Sequence, residues 1–234
     1  MRGLFVTGTD TGVGKSVLSA ALLAAMVQAG EPVSAHKPVL TGLEETPDGA
    51  WPADHELLGA MAGMEPETVA PLRFAVPASP HLAAALEGVE LDPAVLAANA
   101  RRAAEGPAGA PRTLLLEGVG GLLVPLTAGY SVADLAAELG LPVVIAARPG
   151  LGTINHTLLT LEAARARGLD VAAVVLNRWP ADPGALERSN RSTIAELGRV
   201  AVMTLLELPG PDRSALARAG ASLPWREWLD RSSG

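Results

Sequence analysis

The chain has 234 residues, 49% of them hydrophobic, and a formal net charge of −7. That length and apolar content suit one large folded domain rather than a disordered segment, and the acidic balance argues against nucleic acid or an anionic membrane as partner. There is no cysteine, which excludes disulfides, thiolate metal ligands and a cysteine nucleophile. No apolar run approaches the roughly 18 residues of a membrane span, and a Gly/Thr/Asp loop begins by residue 7, too early for a signal peptide. The expectation is a cytoplasmic protein.

In chain order, Leu4 to Thr7 reads as a buried strand, and Ser16 to Ala29 as an Ala/Leu-rich helix stopped by Gly30. Val33 to Lys37 is a second strand ended by Pro38, and residues 38 to 53, rich in Gly and Pro, read as a long loop. Asp54 is placed to cap a short helix running to about Ala62. Pro66 to Pro80 reads as irregular, and Asp92 to Ala104 as a helix. Thr113 to Glu117 is an apolar strand ending on an acid, Ser131 to Leu139 a helix, Val143 to Ala147 a strand and Asn155 to Arg167 a helix. Val171 to Leu176 is a strand, residues 183 to 197 a helix and Val200 to Leu205 a last strand. Continuous Val/Ile/Leu strands between helices predict an α/β fold, a mainly parallel sheet with helices on both faces. Without repeat or linker, residues 1–234 are expected to form one domain, with 210–234 a final helix or a tail.

In such sheets ligands sit beyond the carboxyl ends of the strands. Four segments deliver polar groups there: the loop Thr7 to Ser16, Lys37, Glu117 before "GVGG", and Asn177 after "VAAVVL". The first contains "GTDTGVGKS", Gly8 to Ser16. The pattern G-x-x-x-x-G-K-[ST] describes a P-loop, but here five residues separate Gly8 from Gly14. The longer loop keeps the working parts. Gly8, Gly12 and Gly14 permit tight turns that aim N–H groups inward, and the following helix adds its positive dipole end. Lys15 can bridge the terminal phosphates and Ser16 can ligate Mg²⁺. A cation at a helix start opposes the dipole, so Lys15 calls for an anion nearby.

Mg²⁺ takes hard oxygen ligands, and Asp54 and Glu117 are the candidates beside Ser16. Glu117 stands where a Walker-B acid would, whereas Asp54 suits a helix cap equally well. Lys37 can snorkel to solvent, or it can serve as a catalytic cation stabilising charge on a transferring phosphoryl group. "LGTINHT", residues 151 to 157, reads as a helix start capped by Thr153 or Asn155. His36, His81 and His156 lack metal-ligand spacing, and "RSNRS" at 188 to 192 reads as a solvated helix face.

Taken together and in order, "VTGTDTGVGKS", "HKPVLTG", "SPH", "LLLEGVGGLLVP", "LGTINHTLLTLEAARARGL" and "VLNRWP" resemble the dethiobiotin synthetases, across about residues 3 to 209. The resemblance implies the P-loop NTPase type of fold, with the longer loop being the family's own form. It implies an ATP- and Mg²⁺-dependent carboxylase that closes the ureido ring on 7,8-diaminononanoate with CO₂. Lys15 and Lys37 are then the catalytic cations, and Ser16, Asp54 and Glu117 the metal ligands. Nucleotide contacts are implied for Gly12, Val13, Gly14, Val17, Gly118, Val119 and Gly120, and at the base for Asn177, Arg178, Glu207 and Pro209. Thr11, Lys37 and Thr41 would meet the diamine. Gly152 and Asn155 would receive its carboxylate from a second subunit, which implies a homodimer. The base preference, ATP or another triphosphate, stays open.

Two other functions compete. A partition-type or maturation ATPase carries a second lysine in K-G-G-x-G-K, which falls here on Asp10. A cobyrinate-type amidase needs a glutamine-hydrolysing domain with a cysteine, and the chain has none.

Overall fold

A computed structural model describes residues 1–43, 51–106 and 109–231. Its centre is a six-stranded parallel sheet in the order β10-β9-β8-β1-β5-β2. The strands are β1 (Gly3–Gly8), β2 (Val33–His36), β5 (Thr113–Glu117), β8 (Val143–Ala147), β9 (Val171–Trp179) and β10 (Val202–Leu206). Two-stranded pairs join β3 (Leu40–Thr41) to β4 (Arg73–Phe74), and β6 (Pro125–Thr127) to β7 (Tyr130–Ser131).

Alternate residues of each strand enter different cores, as the two-residue pleat requires. Phe5, Leu114, Leu116, Val143, Ile145, Val174 and Leu176 face one core. Leu4, Val6, Leu115, Val144, Ala146, Ala173 and Val175 face the other. Both faces are therefore dry, which is why these strands read as unbroken apolar runs. The first core is covered by α4 (Pro80–Leu86), α5 (Pro93–Ala103), α6 (Val132–Leu139), α7 (Thr153–Ala166) and α8 (Ala185–Gly198). The second is covered by α1 (Lys15–Gln28), α2 (Asp54–Ala62), α9 (Arg213–Ala221) and α10 (Trp225–Asp230).

Helix α1 lies innermost on its face. Leu18, Leu22, Leu23 and Met26 are buried, and Ala20, Ala21 and Ala24 leave space for close neighbours. Helix α9 crosses it at Gly220, where a Cβ would stand 2.0 Å from the Ala21 carbonyl oxygen. The described residues after Gly210 thus hold two packed helices, with Leu216, Trp225, Trp228 and Leu229 in the core beside α1.

Several local expectations need correction. Residues 66–80 are not wholly irregular. They contain α3 (Pro66–Val69) and β4, and Ser79-Pro80 opens α4 with the proline at its first turn, where its missing N–H costs nothing. Strand β3 interrupts the loop expected over 38–53, of which 44–50 lies outside the described residues. Helix α2 begins at Asp54, with Ala53 at the cap position; the Asp54 carboxylate is engaged with Lys37 instead. Helix α7 is preceded by Gly152 in the left-handed region, φ 89°, and neither Thr153 nor Asn155 caps it. Within "RSNRS", Arg188, Ser189, Arg191 and Ser192 are exposed, but Asn190 is buried and donates to the Pro149 and Gly150 carbonyls, at 2.8 and 3.2 Å.

Candidate active site

The carboxyl ends of β1, β2, β5 and β9 open into one cavity of about 850 Å³. Strand order reverses around β1, which pairs with β5 on one side and β8 on the other, and a crevice forms at such a switch point.

The loop after β1 shapes the floor. Gly12 and Gly14 have φ of 68° and 88°, values that side-chain-bearing residues rarely adopt. Gly14 directly precedes α1, and no side chain caps that helix or places an acid in its first turn. Its first N–H groups and the positive dipole end are thus left for an anion. The Asn177 amide nitrogen, from β9, donates to the Val13 and Gly14 carbonyls at 2.8 and 3.1 Å. A residue expected at the base therefore braces the loop, through a long-range bond that no local motif encodes.

Lys15, Lys37 and Asp54 line the cavity, and Glu117, fully buried, lies beneath them. The Lys37 ammonium donates to Asp54 Oδ2 and to Glu117 Oε1, each at 2.6 Å. The Ser16 hydroxyl donates to the same Glu117 Oε1 at 2.9 Å. Lys15 donates to the Asp10 carbonyl at 3.0 Å. Lys37 and Glu117 are 3% and 0% exposed, so Lys37 does not snorkel. Burial works against the Lys37 charge, but Asp54 and Glu117 outweigh it and hold its pKa above the usual lysine value. Asp54 is held below the usual carboxylate value: burial opposes ionisation, and the Lys37 charge overcomes it. Lys15 behaves oppositely, since burial and then repulsion from Lys37 lower it to about 8.

The oxygen set suits Mg²⁺. Ser16, Asp54 and Glu117 are hard donors from three elements, and Glu117 Oε2 is buried without a hydrogen-bond partner. Two carboxylates with a hydroxyl are few for Ca²⁺ but fit an ion that keeps waters and takes phosphate oxygens.

Of the other expected residues, Thr11, Val17, Thr41, Val119, Gly120, Arg178 and Glu207 also line the cavity. Arg178 does so with φ 53°, a strained backbone for a non-glycine residue. Val13 is 2% exposed, and Gly118 is packed so closely that a Cβ would lie 2.9 Å from Val132 Cγ1. Neither lines the cavity, and nor do Glu117, Pro209, Gly152 and Asn155. Gly152 and Asn155 are exposed at the start of α7. The sequence reading missed an apolar wall that includes Leu40, Trp51, Pro52, Pro77 and Pro80. The quoted "HKPVLTG" and "SPH", which contain Leu40 and Pro80, were its signals.

A parallel sheet with strand order 10-9-8-1-5-2, a glycine loop opening onto an uncapped helix, and a lysine–hydroxyl pair at that helix start define a P-loop NTPase. A family described as an AAA domain matches residues 2–211. An ATP-dependent dethiobiotin synthetase from Anaeromyxobacter dehalogenans (strain 2CP-C) is 45% identical, over 95% of this chain and 97% of that protein. Its counterparts from Novosphingobium aromaticivorans and Bacillus velezensis are 43% and 38% identical, over 94% and 87% of this chain and 96% and 85% of those proteins. The chain belongs to the dethiobiotin synthetase family.

Among solved structures, the MinC:MinD cell division complex of Aquifex aeolicus matches with a TM-score of 0.54 at 12% identity, over 99% of this chain and 93% of that one. A ParA family ATPase from Chlorobium tepidum gives 0.50 at 11%, over 100% and 98%. These two share the fold alone.

Proposed function

We propose that this protein carboxylates 7,8-diaminononanoate with CO₂ and closes the ureido ring, converting ATP to ADP and phosphate. The observation that carries this reading is the meeting of Lys15, Ser16, Lys37 and Asp54 in one cavity behind a phosphate loop, with buried Glu117 bonded to Ser16 and Lys37. An amine of the substrate attacks CO₂ and loses one N–H proton to solvent, giving a carbamate. A carbamate oxygen attacks the γ-phosphorus, ADP leaves, and a carbamic–phosphoric anhydride results. The second amine attacks the carbonyl carbon, phosphate departs with the C–O bond electrons, and the amine proton passes to solvent or phosphate. No protein nucleophile enters these steps.

The protein's part is positioning and charge. The loop N–H groups and Lys15 orient the triphosphate. Lys37, kept charged by its two carboxylates, faces the phosphoryl oxygens as negative charge shifts among them. Mg²⁺ held by Ser16, Asp54 and Glu117 would neutralise phosphate oxygens and orient the triphosphate. Thr11 and Thr41 border the space beside Lys37 and suit the amine end of the substrate.

We read residues 1–234 as one catalytic domain acting as a homodimer in the cytoplasm. The exposed start of α7, with Gly152 and Asn155 outside the chain's own cavity, supports their use by a second subunit. N–H groups at a helix start would hold the substrate's carboxylate there. No helix among the described residues is long and apolar enough to cross a membrane.

Phosphate release from ATP, followed with and without diamine and CO₂, tests the reading. Release is expected only when both are supplied. Release indifferent to the diamine refutes it and favours a nucleotide-gated interaction protein.

A further inference from the structure

We infer that Arg148, at the carboxyl end of β8, is a positioning residue that fixes the phosphate loop in its nucleotide-binding form from outside the cavity. Arg148 is exposed, and no carboxylate among the described residues lies within ion-pair distance of it. Its Nη2 donates to the Thr11 carbonyl at 3.4 Å. The same Nη2 is 3.2 Å from where a Cβ on Gly12 would stand. The guanidinium therefore lies against the Thr11–Gly12 peptide, within the stretch that carries the additional residue of the loop.

The direction of that contact matters. A trans peptide is planar, with its carbonyl and N–H on opposite sides. Holding the Thr11 carbonyl toward Arg148 turns the Gly12 N–H away from it, toward the cavity that Gly12 lines and Arg148 does not. The neighbouring peptide is fixed from within the loop. The Thr11 N–H donates to Asp10 Oδ1 at 2.7 Å, and the Asp10 carbonyl accepts from Lys15 at 3.0 Å. Asp10 and Lys15 thus set one peptide of the loop and Arg148 the next. The anchor comes from a strand beside β1, so the added length of the loop does not leave it free to collapse or flip.

This inference rests on the nucleotide-binding reading of the loop, but its test needs no turnover. ATP affinity and ligand-free melting temperature are measured for the parent, Arg148→Met and Arg148→Lys. Arg148→Met is expected to weaken ATP binding about threefold, the loss of one long, exposed hydrogen bond. Its melting temperature should be unchanged, as for most exposed substitutions. Arg148→Lys should recover most of the affinity. Parent-like ATP affinity in Arg148→Met overturns the inference. So does equal weakening in both variants, or a lowered melting temperature. If the parent binds ATP but does not respond to the diamine, the reaction assigned above fails while the role of Arg148 is still read from affinity.

Discussion

Lys37 on the end of β2 and Glu117 on the end of β5 form an ion pair of 2.6 Å, with both side chains almost wholly buried. Removing one member of a buried pair leaves charge in a poor solvent, and such losses run to about 3–5 kcal/mol. Lys37→Ala leaves Asp54 and Glu117 facing each other without their shared cation. The variant is expected to fold but to lose about 3 kcal/mol of ligand-free stability, together with most turnover. Urea unfolding and phosphate release measure the two effects. An unchanged unfolding midpoint contradicts the stability argument, and normal turnover contradicts the catalytic one.

His36 precedes that lysine and is 2% exposed. Burial lowers its pKa from 6.5 to about 4, more than the opposing backbone contact with Val69 restores. Between those values the unfolded chain takes up a proton that the folded protein refuses. Stability is therefore intact above pH 6.5 and falls as pH drops toward 4. The shift corresponds to roughly 3 kcal/mol. His36→Gln should flatten that part of the acid-unfolding curve. Parallel pH curves for variant and parent would refute the assignment.

Asn177 gives its amide nitrogen to two carbonyls of the phosphate loop. Asn177→Leu keeps the branched outline, with somewhat larger end groups, and removes the donor, leaving the Val13 and Gly14 carbonyls without it. A loss of about 1–3 kcal/mol is expected, and nucleotide binding should weaken whichever base is offered. If ATP weakens while inorganic triphosphate binds as before, Asn177 acts on the base alone.

Gly220 brings α9 against α1, with no space for a Cβ beside the Ala21 carbonyl. Gly220→Ala must push the two helices apart, an overpacking cost of about 1–3 kcal/mol. The melting temperature should fall, and Gly220→Val should lower it further. A variant as stable as the parent would mean that α9 does not pack as described.

Much of the architecture is written locally. Apolar strands of four to six residues, Ala/Leu helices closed by glycine, and the loop Gly8 to Ser16 each carry their pattern within a short window. The carboxyl-edge rule then places Lys15, Ser16, Lys37, Glu117 and Asn177 on one side of the sheet before any coordinates are known. The segments read least well lie between Pro66 and Leu86, where the elements are short. Two-residue strands and single helical turns have no period to detect, and they form because neighbouring elements supply their partners.

The chain's own order of residues was enough for the parallel α/β sheet, the phosphate loop and the set of candidate cations and acids, because each depends on neighbours a few positions away. Folding in three dimensions assigned their partners. Asp54 faces Lys37 rather than capping its helix, Asn177 ties down a loop 163 residues earlier, and Gly220 is fixed by contact with Ala21. Arg148 likewise meets Thr11 across 137 residues. These pairings arise where strands and helices distant in sequence are packed together, and the burial created by that packing determines which charges must be neutralised and which polar atoms must be satisfied.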